Sequence, residues 1–217
     1  MTRVRPKLYW ISGSPPSWRV MLALTIKGIP FDEQRLDQAA GENRAPEYLA
    51  LNPKGQVPTL VVGDLVIRES VAILAWLDRA FPERPIWGET PDAAAQVWQD
   101  VMEMEGDLRT AVATTARALL RGKDHDPATL SALSAECDTF DARLAELPFL
   151  GGDTPMASDL WLYPAFHWIA RGVQLSGPAV PATCATLTSC RPALAGWMQR
   201  FAALPGVADI YPPHWRS

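Results

Sequence analysis

Gln56-Val57-Pro58-Thr59-Leu60-Val61-Val62-Gly63-Asp64-Leu65-Val66-Ile67-Arg68-Glu69-Ser70-Val71-Ala72-Ile73 is the stretch whose pattern settles the architecture. Thr59 to Val62 and Leu65 to Ile67 are short β-branched and leucine runs. Gly63-Asp64 joins them as a two-residue turn, so the pair must be an antiparallel hairpin. From Glu69 to Phe81 the period changes: Val71, Ile73, Leu74, Trp76 and Leu77 recur at helical spacing, and Pro82 and Pro85 stop the helix. Strand, turn, strand, helix is a ββα unit.

Working toward the N-terminus, Ala45 to Leu51 can make a short helical turn, and Gln38 to Arg44 is polar with a glycine, hence a loop. Phe31 to Leu36 predicts a strand. Ser17 to Lys27 predicts a helix with Val20, Met21, Leu24 and Ile26 on its packed face and Gly28 at its end. Lys7 to Ser12, rich in Tyr, Trp and Ile, predicts another strand that stops at Gly13. The order is βαβ followed by ββα, an α+β thioredoxin-like domain with a small mixed sheet.

Beyond Pro91 strand signals vanish. Helical patterns cover Asp92 to Arg121, Pro127 to Leu147, Ser158 to Gly172 and Pro192 to Leu204, and Gly177 to Pro192 reads as a mobile Pro-, Thr- and Ser-rich connection. The composition change between Pro82 and Pro91 marks a boundary. The expected division is a domain over 1–82, a linker over 83–90 and an all-α C-terminal domain over 91–217.

With 217 residues, 48% of them hydrophobic, the chain can bury a sizeable core. Its formal charge of −4 offers no basic field for nucleic acid or an anionic membrane, so neither partner is expected. The longest apolar run, Val20 to Ile26, is far short of the ~20 residues that span a bilayer. The N-terminus shows no secretory pattern, and the expected compartment is the cytoplasm. Three cysteines, Cys137, Cys184 and Cys190, form no Cys-x-x-Cys pair and suit a reducing environment. His125, His167 and His214 lack metal-ligand spacing, so no metal site is expected.

Three segments carry chemistry. Ser14 stands after the first strand and before Pro15-Pro16, where a helix opens. It either caps that helix or donates a hydrogen bond to a bound thiolate; the geometry is the same for both. A donor plus the helix partial charge lowers a thiol pKa from its usual ~8.5, which makes the nucleophilic form. Ser12, Ser17 and Tyr9 are rival hydroxyls, and Arg19 reads as a tie from the helix to a neighbouring loop. Val57-Pro58 enters a strand, and a cis bond there would let Val57 pair with an extended peptide as an added strand does. Glu69-Ser70 opens a helix, where free N–H groups can hold a carboxylate and Glu69 can face an ammonium. Together they suit a small zwitterionic thiol peptide.

Ser14-Pro15-Pro16-Ser17-Trp18-Arg19-Val20, Lys27-Gly28-Ile29-Pro30-Phe31, Asn52 to Leu60 and Glu69-Ser70-Val71-Ala72-Ile73 resemble the glutathione S-transferase family in order and spacing. The resemblance covers the N-terminal domain and is to the serine-type zeta, tau and phi classes. It implies glutathione as co-substrate, with Ser14 stabilising its thiolate, Val57 pairing with the cysteinyl backbone ahead of cis-Pro58, Gln56 contacting the peptide, and Glu69 with Ser70 holding the γ-glutamyl end. Arg44 and Lys54 are candidates for the glycine carboxylate. It further implies a homodimer and a detoxifying transferase whose apolar electrophile sits in an acceptor pocket between the domains, with Trp10, Met104 and Trp168 as candidates.

Two departures stand out. The zeta class carries Ser-Ser-Cys-Ser where this chain has Ser14-Pro15-Pro16-Ser17, which counts against isomerase activity. The family's helical capping box starts with Ser or Thr, whereas here Met156 precedes Asp159, which is expected to be buried and structural. The alternatives to conjugation are a non-catalytic interaction protein of the same fold and a zeta-like glutathione-dependent isomerase. A thiol reductase is disfavoured because no cysteine replaces Ser14.

Overall fold

The structure is a computed structural model that describes residues 4–177 and 180–216. Its backbone contacts form two units, residues 4–86 with 205–216, and residues 87–204. In the first unit β1 (Lys7–Trp10), α1 (Pro15–Lys27) and β2 (Asp32–Arg35) are followed by a 3-10 turn at Glu42–Arg44 and α2 (Pro46–Leu51). Then come β3 (Thr59–Val62), β4 (Leu65–Arg68) and α3 (Ser70–Ala80). The sheet order is β2-β1-β3-β4, with β1 and β2 parallel and the other two pairings antiparallel. This is the thioredoxin-like mixed sheet expected from the sequence.

α1 begins at Pro15, two residues earlier than expected, because prolines in the first turn forfeit no hydrogen bond. Gly28 ends it at φ +67, its N–H bonding the carbonyls of Leu24 and Thr25. α1 packs against α3, and Leu8, Leu22, Leu24, Leu60, Ile73, Leu74 and Leu77 are essentially inaccessible to solvent. Each such side chain contributes roughly 1.5–3 kcal/mol. The buried ammonium of Lys27 bonds Asp78 Oδ1 at 3.1 Å and the carbonyl of Arg84, tying the two helices at their C-terminal ends. All four residues of β2 are exposed and polar; as an edge strand it needs only the ladder to β1, and its charges discourage edge pairing.

The second unit contains α4 (Pro91–Glu103), a π-turn at Met104–Leu108, α5 (Arg109–Arg121), α6 (Pro127–Glu146), α7 (Ala157–Ser176), α8 (Ala182–Ala185) and α9 (Pro192–Ala202). The single helix expected over Asp92 to Arg121 is thus two helices, because Gly106 takes ψ −120 and breaks the ladder. Gly172 lets α7 lie close to α5: a Cβ there would stand 2.8 Å from Leu119 Cβ. Trp161, Tyr163, Phe166, Trp197 and Phe201 fill the core. As expected, Asp159 is fully buried. Its carboxylate accepts N–H bonds from Leu150 at 2.9 Å, Met156 at 2.9 Å and Trp197 Nε1 at 2.8 Å, which leaves it as the working half of the capping box. Ser158 Oγ is buried without a partner and does not replace the missing cap.

The expected division differs from this grouping at both ends. The boundary falls between Ile86 and Trp87 inside the expected 83–90 linker, and residues 205–216 join the first unit instead of the helical one. The reason is aromatic packing: Tyr211 and Trp215 stand edge-on to Trp18 at 5.3 and 5.9 Å between ring centroids. Of the connection expected to be mobile, α8 is helical and Arg191 is buried, bonded to Asp138, Ser134 and the Leu187 carbonyl. Residues 178–179 lie outside the described residues. Burial pushes the Cys137 thiol up to about 12, which makes it inert.

Candidate functional site

Ser14 is the N-cap of α1, with extended backbone, and is half-buried. Its Oγ accepts the Ser17 N–H at 3.4 Å, the long end of a hydrogen bond, so capping makes weak use of this hydroxyl. The O–H is left to point at a ligand. Two of the rivals are otherwise engaged or enclosed: Ser12 Oγ bonds His214 Nδ1 at 2.9 Å, and Ser17 Oγ is fully buried, while the Tyr9 ring tilts against Tyr48 with ring centroids 5.7 Å apart. The N-terminus of α1 adds its partial positive charge beside Ser14.

The Val57–Pro58 peptide is cis. Among the described residues no hydrogen bond uses the Val57 N–H or C=O, which leaves both for an extended ligand. The loop before it is held from behind. Tyr48 Oη donates to the Gln56 carbonyl at 2.5 Å and Asn52 Nδ2 donates to the same oxygen at 2.7 Å. Asn43 Nδ2 donates to the Gly55 carbonyl at 2.8 Å, and Arg44 Nη1 to the Lys54 carbonyl at 3.1 Å. Gly55, at φ +60, passes so close that a Cβ would lie 2.7 Å from the Asn43 carbonyl oxygen. Burial raises the Tyr48 pKa, keeping its phenol a neutral donor. The Gln56 side chain itself is exposed.

Glu69 caps α3 at φ +66, ψ +119, a positive φ uncommon outside glycine. Such strained positions cluster at ligand sites. Its carboxylate is exposed and pairs with Lys54 Nζ at 2.7 Å, an exposed ion pair worth ~0–1 kcal/mol that a ligand ammonium can displace. Ser70 is buried, and its Oγ accepts a bond from Arg19 Nη1 at 2.9 Å. Arg19, 3% exposed, is therefore the tie between α1 and the start of α3. Of the carboxylate candidates, Arg44 is engaged within the loop through the Lys54 carbonyl and Lys54 is paired with Glu69 at the start of α3.

The structure brings Ser14, Val57, Pro58, Glu69 and Ser70 onto one unit through three connections: β1 to α1, α2 to β3, and β4 to α3. Trp10 lines a cavity of about 350 Å³ whose wall includes Met21, Arg35 and Tyr211 of the same unit. Met104 is buried at the start of the π-turn, and Trp168 is half-buried with the Arg117 guanidinium 5.7 Å over its ring. Tyr48, Asn43, Asn52 and His214 escaped the sequence reading. Asn52-Pro53-Lys54-Gly55 signals a turn, but nothing local signals which side chains reach back to hold it. Among the described residues, no group of His, Cys, Asp and Glu side chains could hold a metal ion, and no helix is long and apolar enough to cross a membrane.

Comparison with known proteins bears on this arrangement. A family model described as "Glutathione S-transferase, N-terminal domain" matches residues 13–80. Glutathione S-transferase 1 of Dianthus caryophyllus is 48% identical over 80 residues, which are 37% of this chain and 36% of that protein. The chain thus matches about a third of that relative's length. Longer alignments exist: glutathione S-transferase 3 of Zea mays is 31% identical over 92% of this chain and 90% of its own. Maleylacetoacetate isomerase of Pseudomonas aeruginosa is 30% identical over 86% and 92%. Among solved structures, a glutathione S-transferase from the Antarctic clam Laternula elliptica aligns over 98% of this chain and 94% of its own with a TM-score of 0.83 at 27% identity. Glutathione S-transferase-I bound with the ligand lactoylglutathione aligns over 95% and 98% with a TM-score of 0.78 at 25% identity.

Proposed function

This chain belongs to the glutathione S-transferase family, and on that basis we propose that it binds glutathione along the Ser14, Val57 and Glu69-Ser70 segments and activates its sulfur for attack on an apolar electrophile. The observation that carries the reading is Ser14 at the mouth of α1, its Oγ bound, among the described residues, only by a 3.4 Å contact from Ser17. The thiol of bound glutathione loses its proton to water, and the thiolate accepts the Ser14 O–H with the α1 N-terminus behind it. Sulfur then forms a bond to carbon. In displacement the leaving group departs with its electron pair; in conjugate addition the resulting carbanion takes a proton from solvent. Holding sulfur and acceptor together makes the attack effectively intramolecular.

Val57 supplies N–H and C=O to the cysteinyl backbone, Gln56 contacts the peptide, and Glu69 with Ser70 takes the γ-glutamyl ammonium and carboxylate. Trp10, Met104 and Trp168 are proposed for the acceptor. Calorimetry with glutathione, paired with the thiolate absorbance of the complex at neutral pH, tests the reading. We expect saturable binding and a thiolate signal absent from glutathione alone. No heat of binding would end it and leave a non-catalytic protein of the same fold.

Glutathione-dependent isomerisation is the second reading, favoured by the isomerase relative. It differs from conjugation in returning glutathione unconsumed, so product analysis with a cis-enedione diacid against an alkylating electrophile separates the two. The protein acts in the cytoplasm, in detoxification, as a homodimer. α4 supports the last point, since Trp98, stacked 3.8 Å from Trp87, and Met102 one turn on are 38% and 58% exposed. Such apolar exposure suits a covered face. Met102→Glu is expected to halve the mass seen by sedimentation; an unchanged mass would place any dimer contact elsewhere.

A further inference from the structure

The turn that aims Ser14 is gripped by the far end of the chain. Ile11 to Ser14 closes through a bond from the Ser14 N–H to the Ile11 carbonyl at 3.2 Å, with Gly13 at φ +80. Against it lies the 3-10 turn Pro213–Trp215. His214 Nδ1 and Ser12 Oγ are hydrogen-bonded at 2.9 Å. A Cβ on Gly13 would stand 3.1 Å from His214 Cε1 and Nε2 and 3.1 Å from Trp215 Cζ2, so both rings close over the face of Gly13 where a side chain would stand. Trp215, 7% exposed, packs edge-on to Trp18. The Trp18 N–H in turn bonds the Ser14 carbonyl at 2.9 Å. One terminal turn therefore touches the residues just before Ser14 and the helical turn just after it.

A glycine-containing turn deforms easily, since glycine visits both signs of φ without penalty. Ser14 is useful only if its hydroxyl stays within hydrogen-bond reach of sulfur. Its own capping bond is too long to hold it there. We propose that His214 and Trp215 are positioning residues that brace the Ile11–Ser14 turn and so hold the Ser14 hydroxyl on the glutathione sulfur. This rests on the reading of Ser14 given above. The brace acts on sulfur activation and leaves the peptide-binding contacts at Val57 and Glu69-Ser70 alone.

The test uses the full chain in six forms: wild type, His214→Ala, His214→Asn, Trp215→Leu, Ser14→Ala and the Ser14→Ala/His214→Ala double variant. Each is measured for kcat and KM with glutathione and for the pH midpoint of bound-thiolate absorbance. Because His214 is exposed, its removal is compatible with folding, and a urea midpoint verifies that. Misplacement of a catalytic group by about 1 Å costs up to ~100-fold, so His214→Ala is expected to lower kcat by about tenfold. It should raise the thiolate midpoint and leave KM for glutathione within about twofold, the signature of an interaction made with the reacting atom alone. His214→Asn, which retains a hydrogen-bonding group toward Ser12, should recover most of the loss. The double variant should be no worse than Ser14→Ala. Trp215→Leu, which keeps an apolar side chain, should reproduce His214→Ala. Wild-type kcat and midpoint in His214→Ala, or a loss that adds in full to that of Ser14→Ala, would overturn the brace. A silent Ser14→Ala would instead overturn the reading on which it rests.

Discussion

Ser14→Ala is expected to reduce kcat/KM for conjugation by on the order of a hundredfold to a thousandfold, the scale seen when a preorganised donor to a developing anion is deleted. Ser14 stands at an unusual conjunction: the end of the connection from β1, the N-cap of α1, and a hydroxyl held, among the described residues, by a 3.4 Å bond only. A hydrogen bond to a charged acceptor is worth roughly 1.5–3 kcal/mol, so losing it should raise the midpoint of bound-thiolate absorbance by roughly one to two pH units. The sign follows from the ion involved. The donor stabilises the deprotonated form, so its removal disfavours thiolate and the defect is deepest at neutral pH. As pH rises past the midpoint of the variant, thiolate forms without help and the rates should converge. Ser14→Cys gives a contrasting result, since a sulfur there is a weak donor, and its thiolate can instead attack glutathione disulfide to form a mixed disulfide with release of one glutathione thiolate. Equal thiolate midpoints in wild type and Ser14→Ala would remove Ser14 from the chemistry and leave it as a helix cap.

The largest effect on stability is expected at Asp159. Its carboxylate is the common acceptor for Leu150 N–H, Met156 N–H and Trp197 Nε1, and it is 0% exposed. Truncation to alanine strands three buried donors at roughly 1–3 kcal/mol each, and partial relaxation brings the total to about 3–5 kcal/mol. That is a third or more of a stability of about 5–15 kcal/mol. Urea titration of Asp159→Ala measures it, and a loss below about 1 kcal/mol would show that the cluster carries no such weight.

The pH dependence of that difference is a second readout. Burial pushes the Asp159 carboxyl up to about 6, while the N–H donors of Met156, Leu150, Trp197 and Gly151 pull the other way. A folded pKa above the unfolded one makes this group's contribution fully present below pH 4 and lost as pH rises through 6. The gap between wild type and Asp159→Ala should therefore widen by about 2–3 kcal/mol on acidification from pH 6 to 4. His167 acts in the opposite sense: burial holds it down to about 4, so its contribution is present above pH 6.5 and lost as pH falls through 4. In wild type the two slopes oppose each other over the same window. Asp159→Ala, left with His167, should lose stability steeply there.

Much of the architecture was legible because it is locally encoded. Gly63-Asp64 between two β-branched runs has one simple outcome, and proline pairs at 15–16 and 82–85 punctuate helices wherever they stand. The strand predicted over Phe31 to Leu36 is there as Asp32–Arg35, although its four residues are wholly polar. The misplaced features were those without a local cause. The break at Gly106 depends on backbone angles that a glycine permits and does not demand. Residues 205–216 were placed with the helical domain, and their membership of the first unit comes from packing on Trp18, nearly two hundred positions away.

The order of elements, the candidate hydroxyl and the two helix-start segments followed from the chain alone, because period, turn residues and caps act over a few residues. What required the folded protein was the surroundings of each hydroxyl. Four hydroxyls stood near the first turn of α1, and only packing showed Tyr9 against Tyr48, Ser12 on His214, Ser17 enclosed and Ser14 loosely capped. Which polar atoms find partners is decided by side chains from distant segments meeting in a dense interior, and no local pattern records those meetings.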